Sequence, residues 1–360
     1  MAERQKTVLI APLNWGLGHA SRMIPVIRTL QNSGYEVTVA AGSPSDEMIR
    51  QEFPGLRIFP LKSHNIRYSR HRMLMLKLFA QAPCMLWDLL YERKWIKQYV
   101  NREKPELIIS DNRFGLFHLG VKSCYITHQV NVIMPPYLKM FQPLIRYIHR
   151  QLIKNYDICF IPDFPGSGAL SGQLAHSDSH FNFHYQYLGS LSGFCELPSK
   201  PTDTIPDVLA VISGPEPQRS LFIRKLLHVF SDDNRQIWLI AGQPDISYDH
   251  TDKNVRIISH LKRAELKYLM QHAPVLITRS GYTTLMDLFE IKRKAILIPT
   301  PGQTEQEYLA TYFNEKYEFK MLVQKQIKDP AAFHSDFCGK WEHIESQTLK
   351  NISRLICQYT

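Results

Sequence analysis

The chain has 360 residues, 44% hydrophobic and 21% charged, enough for two domains with a core each, which excludes disorder over most of its length. No window approaches the roughly 20 apolar residues of a membrane-spanning helix, the start lacks the long apolar stretch of a secretory signal, and six scattered cysteines without a CxxC fit neither a disulfide framework nor a zinc site. A soluble protein of the reducing cytoplasm is expected, with its formal charge of +10 held in one half: 22 Lys and Arg against 12 Asp and Glu up to residue 165, and 21 of each beyond.

Strands are expected at 7–12, 36–41, 56–59, 107–110, 123–127 and 158–161, with helices at 22–33 and 45–52 between the first of them. This alternation describes an open parallel sheet flanked by helices. Within it, residues 62–104 carry ten basic and three acidic side chains, Arg67, Arg70 and Arg72 among them, interleaved with bulky apolar residues from Met73 to Trp95. A second apolar stretch, 132–147, holds Met134, Tyr137, Leu138, Met140, Phe141 and Leu144. Such a pattern fits a core helix with a solvated cationic face, or a helix lying on an anionic membrane surface. No nucleic-acid-binding signature accompanies the charge, so nucleic acid is not an expected partner.

Residues 163–194, rich in Gly, Ser and aromatics, break the periodicity. It restarts with strands at 208–213, 236–241, 255–259, 275–278 and 295–299 and helices near 218–230, 262–271, 283–290 and 305–315. The expected architecture is α/β, with two Rossmann-like domains facing across a cleft: 1–165, a linker at 166–200, and 201–340. A helix at 341–360 has the N-terminal domain as one place to pack. Ligands of such folds bind at the carboxyl ends of the strands.

Three loops carry candidate chemistry. Asn14-Trp15-Gly16-Leu17-Gly18-His19 follows the first strand and opens a helix, where Gly16 and Gly18 let a ligand approach backbone and the helix start offers free N–H groups to an anion. A dinucleotide site fits poorly, because Ser21 replaces the third glycine of GxGxxG and no acidic residue ends the second strand. His19 is a candidate general base, and Asp111, after the apolar run 107–110, is the carboxylate that would fix its tautomer. In the second half, Ser213 and Gly214 with Arg219 could hold a diphosphate. Thr278-Arg279-Ser280-Gly281-Tyr282-Thr283, with Asp287 one turn on, and Pro301-Gly302-Gln303-Thr304-Glu305-Gln306-Glu307 complete a site for a polar anion bearing hydroxyls.

The pairing of GLGHASR with TRSGYTTLMD and PGQTEQEYLA resembles the MurG-like GT-B glycosyltransferases, glycosyltransferase family 28. The resemblance implies a nucleotide-diphosphate sugar, a UDP-sugar, on the second domain. Ser213 and Gly214 would meet phosphate, Arg279, Ser280 and Gly281 would form the diphosphate loop, Thr283 would be a further donor-binding residue, and Asp287, where the family usually has Glu, would meet ribose. Gln303, Gln306 and Glu307 fall where the family contacts the donor sugar. It further implies an inverting transfer without metal to a hydroxyl of a glycan or lipid-linked envelope acceptor on the cytoplasmic membrane face, with His19 and Asp111 deprotonating that hydroxyl. No Asp-x-Asp, the carboxylate pair a metal-dependent transferase would use, occurs in the chain. His176, Asp178, His180 and His184 have metal-like spacing but read as linker. A nucleotide-sugar 2-epimerase or hydrolase of the same architecture, or a nucleotide-binding protein without turnover, would carry the same loops.

Overall fold

The computed structural model describes residues 6–62, 82–176, 181–341 and 352. Arg67, Arg70, Arg72, the apolar run from Met73 to Phe79, Asp178, His180 and nearly all of the expected C-terminal helix lie outside them.

Seven strands form the N-terminal sheet: β1 (Thr7–Pro12), β2 (Glu36–Ala41), β3 (Arg57–Pro60), β4 (Leu107–Asp111), β5 (Lys122–Ile126), β6 (Ile158–Ile161) and β7 (Tyr185–Tyr187), in the spatial order 3-2-1-4-5-6-7 and parallel throughout. The central strands are buried on both faces, which explains their unbroken apolar runs. The strand order reverses between β1 and β4, the switch point at which a parallel sheet opens a crevice. Both strands end there in register, Pro12 opposite Asp111.

Helices α1 (Leu17–Asn32) and α2 (Ser45–Glu52) connect the strands running one way from β1. The helices α3 (Ala82–Glu103) and α4 (Gln142–Ile153) belong to connections running the other way, so right-handed crossovers set them on the opposite face. The segment 113–117 links these two: Gly115 N donates to Glu92 of α3, and Phe114 lies edge-on to His149 of α4.

The second sheet has six strands, β8 (Val208–Val211), β9 (Ile237–Ile240), β10 (Asp249–Asp252), β11 (Val255–Ile258), β12 (Val275–Thr278) and β13 (Ile296–Leu297), in the order 10-11-9-8-12-13. Its helices are α5 (Gln218–Val229), α6 (Arg263–His272), α7 (Tyr282–Glu290) and α8 (Thr304–Tyr317).

Three elements differ from the sequence expectation. The first helix begins at Leu17 rather than 22, so the glycine turn is itself the first helical turn and His19 and Arg22 stand one turn apart on the same helix. The expected linker contains β7, which pairs with β6, so the N-terminal sheet extends to Tyr187. Its stretch Phe181–Tyr185 is aromatic at every second position and packs ring against ring, hiding the apolar–polar alternation. Strand β10 is Asp-His-Thr-Asp, exposed throughout and held by antiparallel pairing with β11 and an Arg256–Asp249 ion pair, so no apolar pattern marks it. Ile352 is buried and borders an apolar cavity with Val26, Leu30, Ile109 and Phe160, so the chain returns to the N-terminal core.

Candidate active site

Asp111, the last residue of β4, is wholly buried and accepts hydrogen bonds from two residues of α1. His19 Nδ1 lies 3.0 Å from its Oδ2, Arg22 Nε donates to the same oxygen at 2.9 Å, and Arg22 Nη2 donates to Oδ1. Burial works to raise the Asp111 carboxyl, but the Arg22 charge and the bonds to His19 and Arg22 hold it below the usual range, so it stays ionised. Arg22 Nη2 also lies 2.9 Å from His19 Nδ1 but is given to Asp111 Oδ1, so the carboxylate, which can only accept, assigns the His19 proton to Nδ1 and leaves the Nε2 lone pair free. Burial first and Arg22 second lower the affinity of His19 for a second proton, so the ring is a neutral base at pH 7. The sequence-expected pair is thus brought together on the switch-point rim.

The Asp111 backbone is positioned by a second buried ion pair. Arg113 Nη1 donates to Glu92 at 2.7 Å and its Nε to Pro12 O at 2.8 Å, linking the ends of β4 and β1 to α3. Asn112 between them takes a left-handed conformation (φ 55°), which turns the chain sharply after Asp111. Gly115 has no room for a side chain, because a Cβ would stand 2.5 Å from Glu92 Cβ and 2.7 Å from Leu89 O.

Four residues of this cluster, Arg22, His128, Tyr282 and Glu305, have no assigned role in the sequence reading. Arg22 is almost fully buried on α1, and its Nη1 meets His128 Nδ1 at 3.0 Å. His128 stacks on Tyr282 (centroids 4.3 Å apart, planes within 2°), and its Nε2 meets Glu305 Oε1 at 3.0 Å. Tyr282 and Glu305 belong to the C-terminal domain. The rule that found Asp111, a polar residue just after a buried strand, also marks His128 after β5, whereas nothing local marks Glu305.

The donor-side residues are distributed as follows. Ser213 and Gly214 (φ 110°) follow β8, and Arg219 covers that loop with Nε on Glu216 at 2.9 Å and Nη1 on Gly242 O at 3.3 Å. Ser280 Oγ donates to Gln306 O, and Gln306 Oε1 accepts from Thr300 N, tying the α7 and α8 approach loops together. Glu307 accepts from Gly302 N, and Gln303 Oε1 is buried without a hydrogen-bond partner among the described residues. Thr283 Oγ1 donates to Gly18 O at 3.2 Å across the domains, and a Cβ on Gly18 would come within 2.9 Å of that hydroxyl. Gly18 is therefore a point of interdomain contact, while Gly16 (φ 138°) precedes α1.

Two expected ligands point elsewhere. Arg279 is a correction: its guanidinium is buried, lies 3.9 Å over Phe222, and donates to the carbonyls of Ile298 and Pro299 and to Gln324, with burial lowering its pKa to about 9. In this arrangement it ties the loops of the domain together. Asp287 accepts from Ser192 Oγ at 2.6 Å, and burial raises its pKa against the pull of Arg263. Arg263 in turn reaches Ser21 on α1 and Glu52 on α2. His176 bonds Asp163 and stacks on Tyr187, and among the described residues no group of three or more His, Cys, Asp or Glu could hold a metal ion.

Comparison with known proteins finds glycosyltransferases. An uncharacterized glycosyltransferase of Methanosarcina acetivorans is 22% identical over 330 residues, covering 85% of this chain and 83% of the relative, and one of Methanosarcina mazei is also 22% identical over the same shares. Among solved structures, the glycotransferase of kitacinnamycin superposes with a TM-score of 0.62 at 14% identity (99% and 95% of the chains). Acinetobacter baumannii MurG superposes with 0.54 at 12% identity (98% and 99%). Residues 236–334 match the glycosyltransferase family 28 C-terminal domain, carried on a chain whose two-domain fold is that of the GT-B glycosyltransferases.

Proposed function

We propose that this protein is an inverting glycosyltransferase that moves a sugar from a nucleotide-diphosphate donor, a UDP-sugar, to an acceptor hydroxyl without a metal ion. The observation that carries this reading is the neutral His19, oriented through Nδ1 by a buried, ionised Asp111, on the rim that faces the family 28 domain. His19 Nε2 takes the acceptor proton as the hydroxyl oxygen attacks the anomeric carbon and the diphosphate leaves, an in-line displacement that inverts the configuration. The leaving charge falls on the loops after β8 and β12, where the N-termini of α5 and α7 offer backbone N–H groups.

A lipid-linked or envelope acceptor is supported by the outer face of the N-terminal domain. Leu86, Trp87 and Leu90 of α3 and Met140, Leu144 and Tyr147 of and before α4 are exposed on one side of the sheet, beside the exposed Lys94, Lys97 and Lys139. Met134 and Leu138 of the same stretch are core. No helix of the described residues is long and apolar enough to cross a membrane. A peripheral association therefore rests on shallow apolar insertion combined with cationic attraction.

Calorimetry with UDP, dTDP and GDP and their sugars tests the donor. UDP-sugar binding that weakens in Gln303→Ala and Gln306→Ala supports the reading, because a site built to hydrogen-bond hydroxyls loses those bonds on truncation. Absence of binding by any nucleotide diphosphate refutes it. Rapid consumption of the bound sugar nucleotide without acceptor would identify a hydrolase or epimerase instead.

A further inference from the structure

The buried cluster around His19 does not end at Asp111, and its far end is on the other domain. Arg22 can only donate hydrogen bonds, and Asp111 takes those of its Nε and Nη2; Nη2 also lies 2.9 Å from His19 Nδ1, but that nitrogen faces the Asp111 carboxylate, which can only accept, and so keeps its proton. The remaining nitrogen, Nη1, faces His128 Nδ1, which must therefore accept and so leaves the His128 proton on Nε2. That proton points at Glu305 Oε1, in the first turn of α8, at 3.0 Å. Burial works to raise the Glu305 carboxyl, but His128, with His19 and Arg22 farther off, holds it below its ordinary range as an ionised acceptor. The two histidines flanking Arg22 thus carry opposite tautomers. His19 has its proton on Nδ1 and an open Nε2, and His128 has its proton on Nε2 and a filled Nδ1.

Each link fixes the next. Glu305 and the stacked Tyr282 orient His128, His128 holds the plane of the Arg22 guanidinium, Arg22 clamps both oxygens of Asp111, and Asp111 orients His19. The two anchors of His128 and the neighbouring Thr304, whose Oγ1 donates to Ile133 O, all belong to the C-terminal domain. We propose that His128 and Glu305 are positioning residues that, acting through Arg22, complete the His19–Asp111 base only when the C-terminal domain closes on the N-terminal one. This rests on the reading of His19 as the base. It adds that closure, which brings the family 28 domain over the acceptor side, also assembles the group that removes the acceptor proton, so an open enzyme does not present an ordered base to water.

The test uses the ligand-free full chain labelled with 15N-histidine, comparing wild type with Glu305→Ala and the gentler Glu305→Gln. The charged and titratable groups facing the two rings are Arg22, Asp111 and His128 for His19, and Arg22, Glu305, His19 and the stacked Tyr282 for His128. In the wild type, the ring-nitrogen signals should report opposite tautomers. In Glu305→Ala, His128 should lose its fixed Nε2 proton, and the His19 titration midpoint should move further down in pH as the grip on Asp111 loosens. In Glu305→Gln, whose amide oxygen still accepts from His128, both effects should be smaller. An altered His128 with an unchanged His19 in both variants overturns the proposal, as does the same tautomer on both rings of the wild type. UDP calorimetry on the same samples is a separate measurement: failure of UDP to bind sinks the transferase reading and leaves the ring-nitrogen result to judge the relay.

Discussion

Replacing Asp111 with Asn keeps the shape of the side chain and removes the charge on which two buried partners depend. Asp111 and Arg22 are both almost entirely shielded from water, so the variant leaves a guanidinium with no counter-ion on its own domain. Removing one partner of a buried pair costs about 3–5 kcal/mol. The Asn oxygen can still accept one Arg22 bond and His128 still accepts another, so the lower end, about 3 kcal/mol, is expected. For a domain of this size that lowers the melting temperature by about 6–12 °C. Because the folded carboxyl titrates below its usual value, the stabilisation of the wild type is complete above about pH 4 and is lost as pH falls through the lower folded value. Asp111→Asn should lack that acid-dependent loss. The amide also competes for the tautomer of His19, and kcat should fall by roughly 10²–10⁴. Scanning calorimetry against pH, with turnover measured on the folded variant, checks both halves. Wild-type melting at neutral pH, together with turnover within about twofold, would refute the reasoning.

His19→Ala should lower kcat by roughly 10²–10⁴ while UDP affinity is retained, and the acid limb of kcat/KM in the wild type should fall below pH 6.5, since burial and Arg22 both lower the ring's pKa; a limb at or above neutrality would assign the base elsewhere. Gly115→Ala should destabilise by about 1–3 kcal/mol in urea unfolding, because the clash is with the base of the Glu92 side chain and with backbone, neither of which can swing away. The purified protein should sediment with anionic vesicles at low salt, release as salt rises, and bind less when Leu86, Trp87, Met140 and Leu144 are changed to Ser. A wild type that ignores such vesicles points to a soluble acceptor.

The strands and helices of both domains are legible in the sequence because a parallel sheet buried on both faces demands unbroken apolar runs between amphipathic helices, and β1, β4, β8 and β12 have them. His19 and Asp111 are legible for a related reason: Asp111 ends one such run and His19 lies on the glycine turn beyond another, where the chain leaves the sheet on the functional rim. Beyond that, local pattern is silent. The burial of Arg279 on the carbonyls of Ile298 and Pro299, and the turning of Asp287 toward Ser192, depend on loops separated by up to about a hundred residues. Glu305 looks like any acidic residue in the first turn of a helix, and it meets His128, 177 positions away, only through the packing of one domain on the other. Hydrophobic periodicity sets which face of each element is buried and hence the layers of the fold. Partners inside a buried polar cluster are chosen instead by the need of each desolvated charge and hydrogen-bonding group for a complement, wherever in the chain the folded structure supplies it.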